Sequence, residues 1–152
     1  MLNRRIGLFW LGVALASSAA PAMAQSSAAL NLNSDGVAIK GHDPVAYFTM
    51  NKPVKGSPSF MAKHDGATYW FANAEHQQAF TAQPAKYVPQ YGGYCAFGVA
   101  KGARPDIDPT TFSVVEGKLY LNLNPDVQSR WLKDVPGFIK SADENWKSLA
   151  TK

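Results

Sequence analysis

The stretch Phe60-Met61-Ala62-Lys63-His64-Asp65-Gly66-Ala67-Thr68-Tyr69-Trp70-Phe71 reads as an antiparallel hairpin and decides the fold class. Asp65-Gly66 is a strong two-residue turn signal, because both residues tolerate the positive φ that a tight hairpin demands. Such a turn sets His64 opposite Ala67, Ala62 opposite Tyr69 and Phe60 opposite Phe71. Strand alternation then gathers Phe60, His64, Tyr69 and Phe71 on one face, the expected core side, with Met61 and Trp70 on the other.

Downstream of this hairpin, Asn73 is placed to cap a helix running to about Ala82, which Pro84 stops. On that helix His76 and Phe80 share a face. A second hairpin is expected from Phe112–Val115 and Lys118–Leu121, with Glu116-Gly117 at its turn. Asn124-Pro125 starts a helix in which Val127 and Trp131 share a face. Pro136 opens the last helix, where Ile139, Ala142, Trp146 and Leu149 form one apolar stripe. Upstream, Val37-Ala38-Ile39 reads as a short strand and Gly41-His42-Asp43-Pro44 as a turn, with Asp43 capping a helical turn over Val45–Phe48. Asn51–Pro58 reads as loop, as does Gly102–Pro109 with Asp106 and Asp108, and Ala96–Lys101 as one helical turn. No internal repeat is evident beyond the generic likeness of the two hairpins. The sum is a small single α+β domain with two antiparallel β-hairpins and several short helices.

The segment Pro84-Ala85-Lys86-Tyr87-Val88-Pro89-Gln90-Tyr91-Gly92-Gly93-Tyr94-Cys95-Ala96 cannot be one regular helix, because two prolines interrupt it. Gly92-Gly93 permits a sharp reversal. Three tyrosines surround that reversal, and the chain's one cysteine follows it.

The amino-terminal segment reads as an address. Arg4-Arg5 precedes an apolar run from Ile6 to Ala22, and Ala22-Met23-Ala24 has the small-x-small form of a signal-peptidase site. The expected division is a signal peptide over 1–24, a loose Ser/Ala/Asn-rich lead-in over 25–36 and the domain over 37–150. The expected location is the periplasm, with no stable membrane insertion after cleavage, since no later stretch is long and apolar enough to span a bilayer. Formal charge is +4, and loss of Arg4 and Arg5 leaves about +2. The basic residues are scattered singly, with no run that would track phosphates, so no nucleic-acid binding is expected. One cysteine in an exported chain forms no internal disulfide.

Several separate motifs resemble the YHS domain family in its exported bacterial subgroup. Gly41-His42-Asp43-Pro44-Val45-Ala46-Tyr47-Phe48 looks like the opening motif, which usually carries Tyr at the second position. His64-Asp65-Gly66 with Tyr69-Trp70-Phe71-Ala72-Asn73 is similar to the middle motif, and Pro84–Ala96 to the third. Asp108-Pro109 and Gly117-Lys118-Leu119-Tyr120-Leu121-Asn122 continue the pattern. The resemblance implies metal handling, because related domains occur in copper-transporting ATPases and metal-dependent oxygenases. Their cysteine positions fall here on Ala46, Ala72 and His76. Two of these are alanine, so the thiolate site of those relatives is not inherited.

Three chemistries follow for the residues present. The first is a non-enzymatic binding module for a soft metal such as copper, with Cys95 and one histidine, His76 before His64, as ligands. About 13 Å of strand separates the two histidines, so they share an ion only if the helix folds sharply back. The second is a small-molecule or protein-binding module without metal, using Tyr47, Trp70, Tyr91 and Tyr94 as amphipathic contacts. The third is a Cys-dependent enzyme, which needs an activated Cys95 thiolate beside a base. Asp43 and Asp108, each preceding a proline, are read as turn and cap residues.

Overall fold

Asp65 and Gly66 both take positive φ, 47° and 87°, and close the hairpin as the sequence predicts. The computed structural model describes residues 28–152. The expected signal peptide over 1–24, and the first residues after it, lie outside those described. Strand β1 (Ser57–His64) pairs with β2 (Ala67–Phe71), with His64 opposite Ala67 and Ala62 opposite Tyr69. Phe60, however, does not face Phe71. The register shifts between Ser57 and Met61, and Phe71 pairs with Ser57 instead. Pro58 lies inside that shift and has no N–H to give the ladder, so the strand bulges past it. Phe71 and Tyr69 are buried, whereas Phe60 and His64 are only half-buried.

The second hairpin, β3 (Asp108–Val115) with β4 (Lys118–Asn122), shifts register between Asp108 and Phe112, around Pro109. Each hairpin is its own two-stranded sheet. Helices fill the intervals: α1 (Ala46–Thr49), α2 (Ala74–Ala82), α3 (Pro84–Tyr87), α4 (Ala96–Ala100), α5 (Pro125–Trp131) and α6 (Val135–Leu149). Asn73 caps α2 as expected, Asn124 caps the helix it was expected to start, and Asp134 caps α6. They accept the N–H groups of His76, Val127 and Gly137, which satisfies donors a helix start leaves open. The architecture is a small α+β domain. None of the described helices is long and apolar enough to cross a membrane.

Strand β4 joins two apolar clusters, because alternate side chains point to opposite faces. Leu119 and Leu121 enter a cluster with Tyr47, Tyr69, Phe71 and Phe80. Tyr120, between them, enters a second with Val99, Trp131 and Ala142. The last helix supplies Ala142 and Leu149 to that second cluster as buried residues, flanked by half-buried Ile139 and Trp146.

Two segments differ from expectation. Val37 and Ala38 make single bridges, to Thr68 and Leu32, but Ile39 does not continue the strand. Ile39, Lys40 and Gly41 all turn left-handed, at φ 53°, 49° and 80°, a conformation that is costly for a β-branched residue. The residues before Gly36 are also packed rather than loose. Ala29 N–H donates to Ala150 O at 2.9 Å and Asn31 N–H to Gly92 O at 2.9 Å. The Asn31 amide donates to Gly93 O and Asp106 Oδ1, and Tyr94 O–H to Leu30 O. The domain therefore takes in a strap that begins well before Val37.

The two halves repeat one another far beyond the likeness of their hairpins. Val37 bridges Thr68 in parallel, and Pro89 bridges Leu119 in parallel. Left-handed turns follow at Ile39–Gly41 and at Tyr91–Gly93. Asp43 N–H donates to Val54 O, and Cys95 N–H to Pro105 O. Both hairpins bulge around a proline, both end in an asparagine-capped helix, and both helices turn a glutamine back onto the strand. Gln77 Nε2 donates to Met61 O at 2.7 Å, and Gln128 Nε2 to Phe112 O at 3.0 Å. Residues 37–82 and 89–131 are thus two copies of one hairpin-and-helix unit, which corrects the expectation of no repeat.

The strap crosses directly over Gly92. A Cβ there would lie 2.0 Å from Ala29 O, with φ at +61°, whereas Gly102 at φ +86° has open space around it. Gly102→Ala is expected to cost about 1–2 kcal/mol, the left-handed penalty alone. Gly92→Ala is expected to cost about twice that or more, since the strap must also lift. Paired urea melts check this, and equal losses would show that the strap adds nothing.

Candidate functional site

Asp43 is fully buried, yet every part of its carboxylate has a donor. Oδ1 accepts the N–H groups of Val45 at 2.9 Å and Ala46 at 3.3 Å, which starts α1. Oδ2 accepts Ala72 N–H at 2.9 Å, at the end of β2, and meets His76 Nδ1 at 2.6 Å. A buried carboxylate is tolerated when hydrogen bonds replace its water in this way. One side chain therefore fastens α1, β2 and α2 together.

The same bond defines the histidine. As a carboxylate Asp43 has no proton to give, so this bond calls for the tautomer that carries its hydrogen on His76 Nδ1. Among the described residues Nε2 has no hydrogen-bond partner, and it is not among the buried atoms left without one. The side chain is 12% exposed, so the ring keeps a narrow face toward solvent. A carboxylate behind an imidazole is the arrangement that orients a metal-ligating or hydrogen-bonding histidine.

The other candidates are placed differently. Helix α2 does fold back over the hairpin, so that Phe80 packs on Tyr69 and Phe71 and the His64 ring meets Phe80 at 6.1 Å. His64 nonetheless has its own partner, Asp65, at 3.2 Å on the hairpin turn. Cys95 is 1% exposed and serves as the N-cap of α4. Its sulfur accepts Gly98 N–H at 3.4 Å and donates toward Asn122 Oδ1 at 3.6 Å. Burial pushes the thiol up, and the N–H groups of Gly98, Leu123 and Phe97 pull the other way without reversing it. This is the opposite of the environment that activates a thiolate. The hydrogen-bond partners of Cys95 include neither histidine. Among the described residues no three His, Cys, Asp or Glu side chains converge to hold a metal ion.

The aromatic candidates are engaged in packing. Tyr47 O–H donates to Pro109 O at 2.6 Å, and its ring meets Phe112 edge-on. Tyr91 O–H donates to Asp143 Oδ1 at 2.8 Å. Burial raises both phenols, Tyr91 further through that bond. Tyr94 lies between Trp146 and the Arg104 guanidinium. Trp70 covers Gly41, where a Cβ would come within 2.8 Å of the indole. Asp43 was legible in the sequence as a cap but not as the partner of His76, which lies 33 residues away.

His42, beside Asp43, carries a second unusual imidazole. Its Nδ1 is buried without a hydrogen-bond partner. Burial lowers its pKa from 6.5, aided by Lys55; the nearby Lys40 and Ile39 carbonyls and the Asp108 carboxylate oppose this only in part. No family model matches the chain, and no curated protein or solved structure is significantly similar to it.

Two outcomes are expected from these environments. The Cys95 thiol should resist alkylation in the native protein and react at an ordinary rate in denaturant; rapid native labelling would overturn its assignment as a sealed cap. For His42, the unfolded chain takes up a proton near pH 6.5 while the folded chain resists it, so stability falls as pH drops below that value. His42→Tyr should lose less stability than wild type between about pH 7 and 5. Parallel slopes in denaturant melts across that range would remove His42 from the account.

Proposed function

We propose that the chain is a non-enzymatic binding module whose recognition group is Nε2 of His76, and that its cargo is a soft or borderline metal ion such as copper. The observation that carries this reading is the 2.6 Å bond from His76 Nδ1 to the buried Asp43 carboxylate. It fixes the tautomer, stops the ring from turning and leaves one nitrogen lone pair for a ligand, as a ligating histidine requires. Imidazole suits copper, and donors from a partner protein or small molecule complete the shell around a single protein ligand. Such an incomplete site suits taking up and passing on an ion rather than locking it away.

Cys95 has no part in this reading, because its thiol is sealed and already hydrogen-bonded. Membership of the YHS family and residence in the periplasm belong to the same proposal and rest on the sequence motifs. A second reading uses the same atom. Nε2 accepts a hydrogen bond from a small molecule or protein donor, with no metal involved.

Anaerobic copper(I) titration against a competing chelator separates these. With free imidazole added to complete the shell, wild type is expected to bind one ion, His76→Ala to lose that binding, and Asp43→Asn to weaken it by about 10- to 100-fold. Cys95→Ser should bind as wild type does. Wild-type affinity no better than that of His76→Ala would sink the metal reading and leave the hydrogen-bonding one. Loss in a folded Cys95→Ser variant would return the thiol to the ligand set.

A further inference from the structure

The repeat gives each residue of the site a counterpart in the second half. Asp43 and Cys95 are both buried, both precede a short helix and both accept an N–H from its first turn. The Ala72 N–H that bonds Asp43 corresponds to the Leu123 N–H that lies against the Cys95 sulfur. Asn73 and Asn124 cap the two following helices by accepting the N–H of the third residue on. In the first half that residue is His76, and in the second it is Val127. Gln77 and Gln128 then bond equivalent strand carbonyls, so the two helices sit on their hairpins in the same register.

We propose that residues 89–131 hold a second copy of the framework that carries the His76 site, in which Cys95 stands at the position of the orienting carboxylate and Val127 at that of the imidazole. Val127 is half-buried and packs against the apolar core. In the second copy an aliphatic side chain, packed on the apolar core, holds the position where the first copy presents an imidazole bonded to a carboxylate. Cys95 therefore occupies a framework position, and only the first half carries the imidazole that would bind. The inference takes its account of His76 from the function proposed above, but the structural equivalence stands apart from what is bound.

The paired substitution Cys95→Asp with Val127→His should rebuild the pair. By proton NMR, a second hydrogen-bonded imidazole N–H resonance is expected beside that of His76, and copper(I) stoichiometry should rise from one to two. A folded variant with only the His76 resonance would overturn the proposal. If both resonances appear and neither half binds copper, the equivalence holds and the metal reading fails.

The reciprocal variant, Asp43→Cys with His76→Val in a Cys95→Ser background, decides the matter should the first variant not fold. Its single thiol is expected to be as slow to alkylate as Cys95 in the native wild type. Labelling of that thiol at the rate of a free cysteine, in a protein with a cooperative melt, would overturn the equivalence.

Discussion

A carboxylate cut off from water must find its hydrogen bonds in the protein, and Asp43 finds four of them. That requirement couples pieces of chain with little else in common. The start of α1 is fixed because Val45 and Ala46 give their N–H groups to one oxygen. The end of β2 and the first turn of α2 are fixed because Ala72 and His76 bond the other. Loss of the carboxylate would leave several buried donors without partners, each more costly than a surface contact. The orientation of His76 is thus a by-product of satisfying a buried charge.

Much of this fold is visible in the sequence because its punctuation is local. Asp65-Gly66 and Glu116-Gly117 are the turns, Asn73 and Asn124 are the caps, and Pro84 ends α2. The departures are also local. Pro58 closes a run that reads as loop, yet β1 runs through it by bulging, and that bulge sets Phe60 away from Phe71. Ile39 suits a strand by its β-branch, yet it takes the left-handed conformation instead. What was not legible is long-range. Nothing near His76 announces Asp43, and nothing near Gly92 announces the strap lying on it.

The internal repeat is hidden in the sequence for a different reason. Backbone-determining residues are kept in both halves: the left-handed turn, the bulging proline, the capping asparagine and the folded-back glutamine. Side chains that meet other side chains are not. Aspartate answers to cysteine at Asp43/Cys95 and histidine to valine at His76/Val127. Packing accepts many solutions of similar volume, whereas a helix start or a tight turn accepts few. Two stretches can therefore keep one backbone while losing nearly all resemblance in sequence. The lone cysteine fits the same logic, since sulfur can cap a short helix weakly and fill an apolar site without a charge to compensate.

The strap has a geometric consequence as well. The bond from Ala29 to Ala150 brings the start of the described chain alongside the end of the last helix. Anything joined at either end, whether an anchor, a carrier or a neighbouring domain, would grip the molecule by the same pole. Tethered there, the domain would swing as a body about one attachment point. Both tethers would then constrain its reach in the same way.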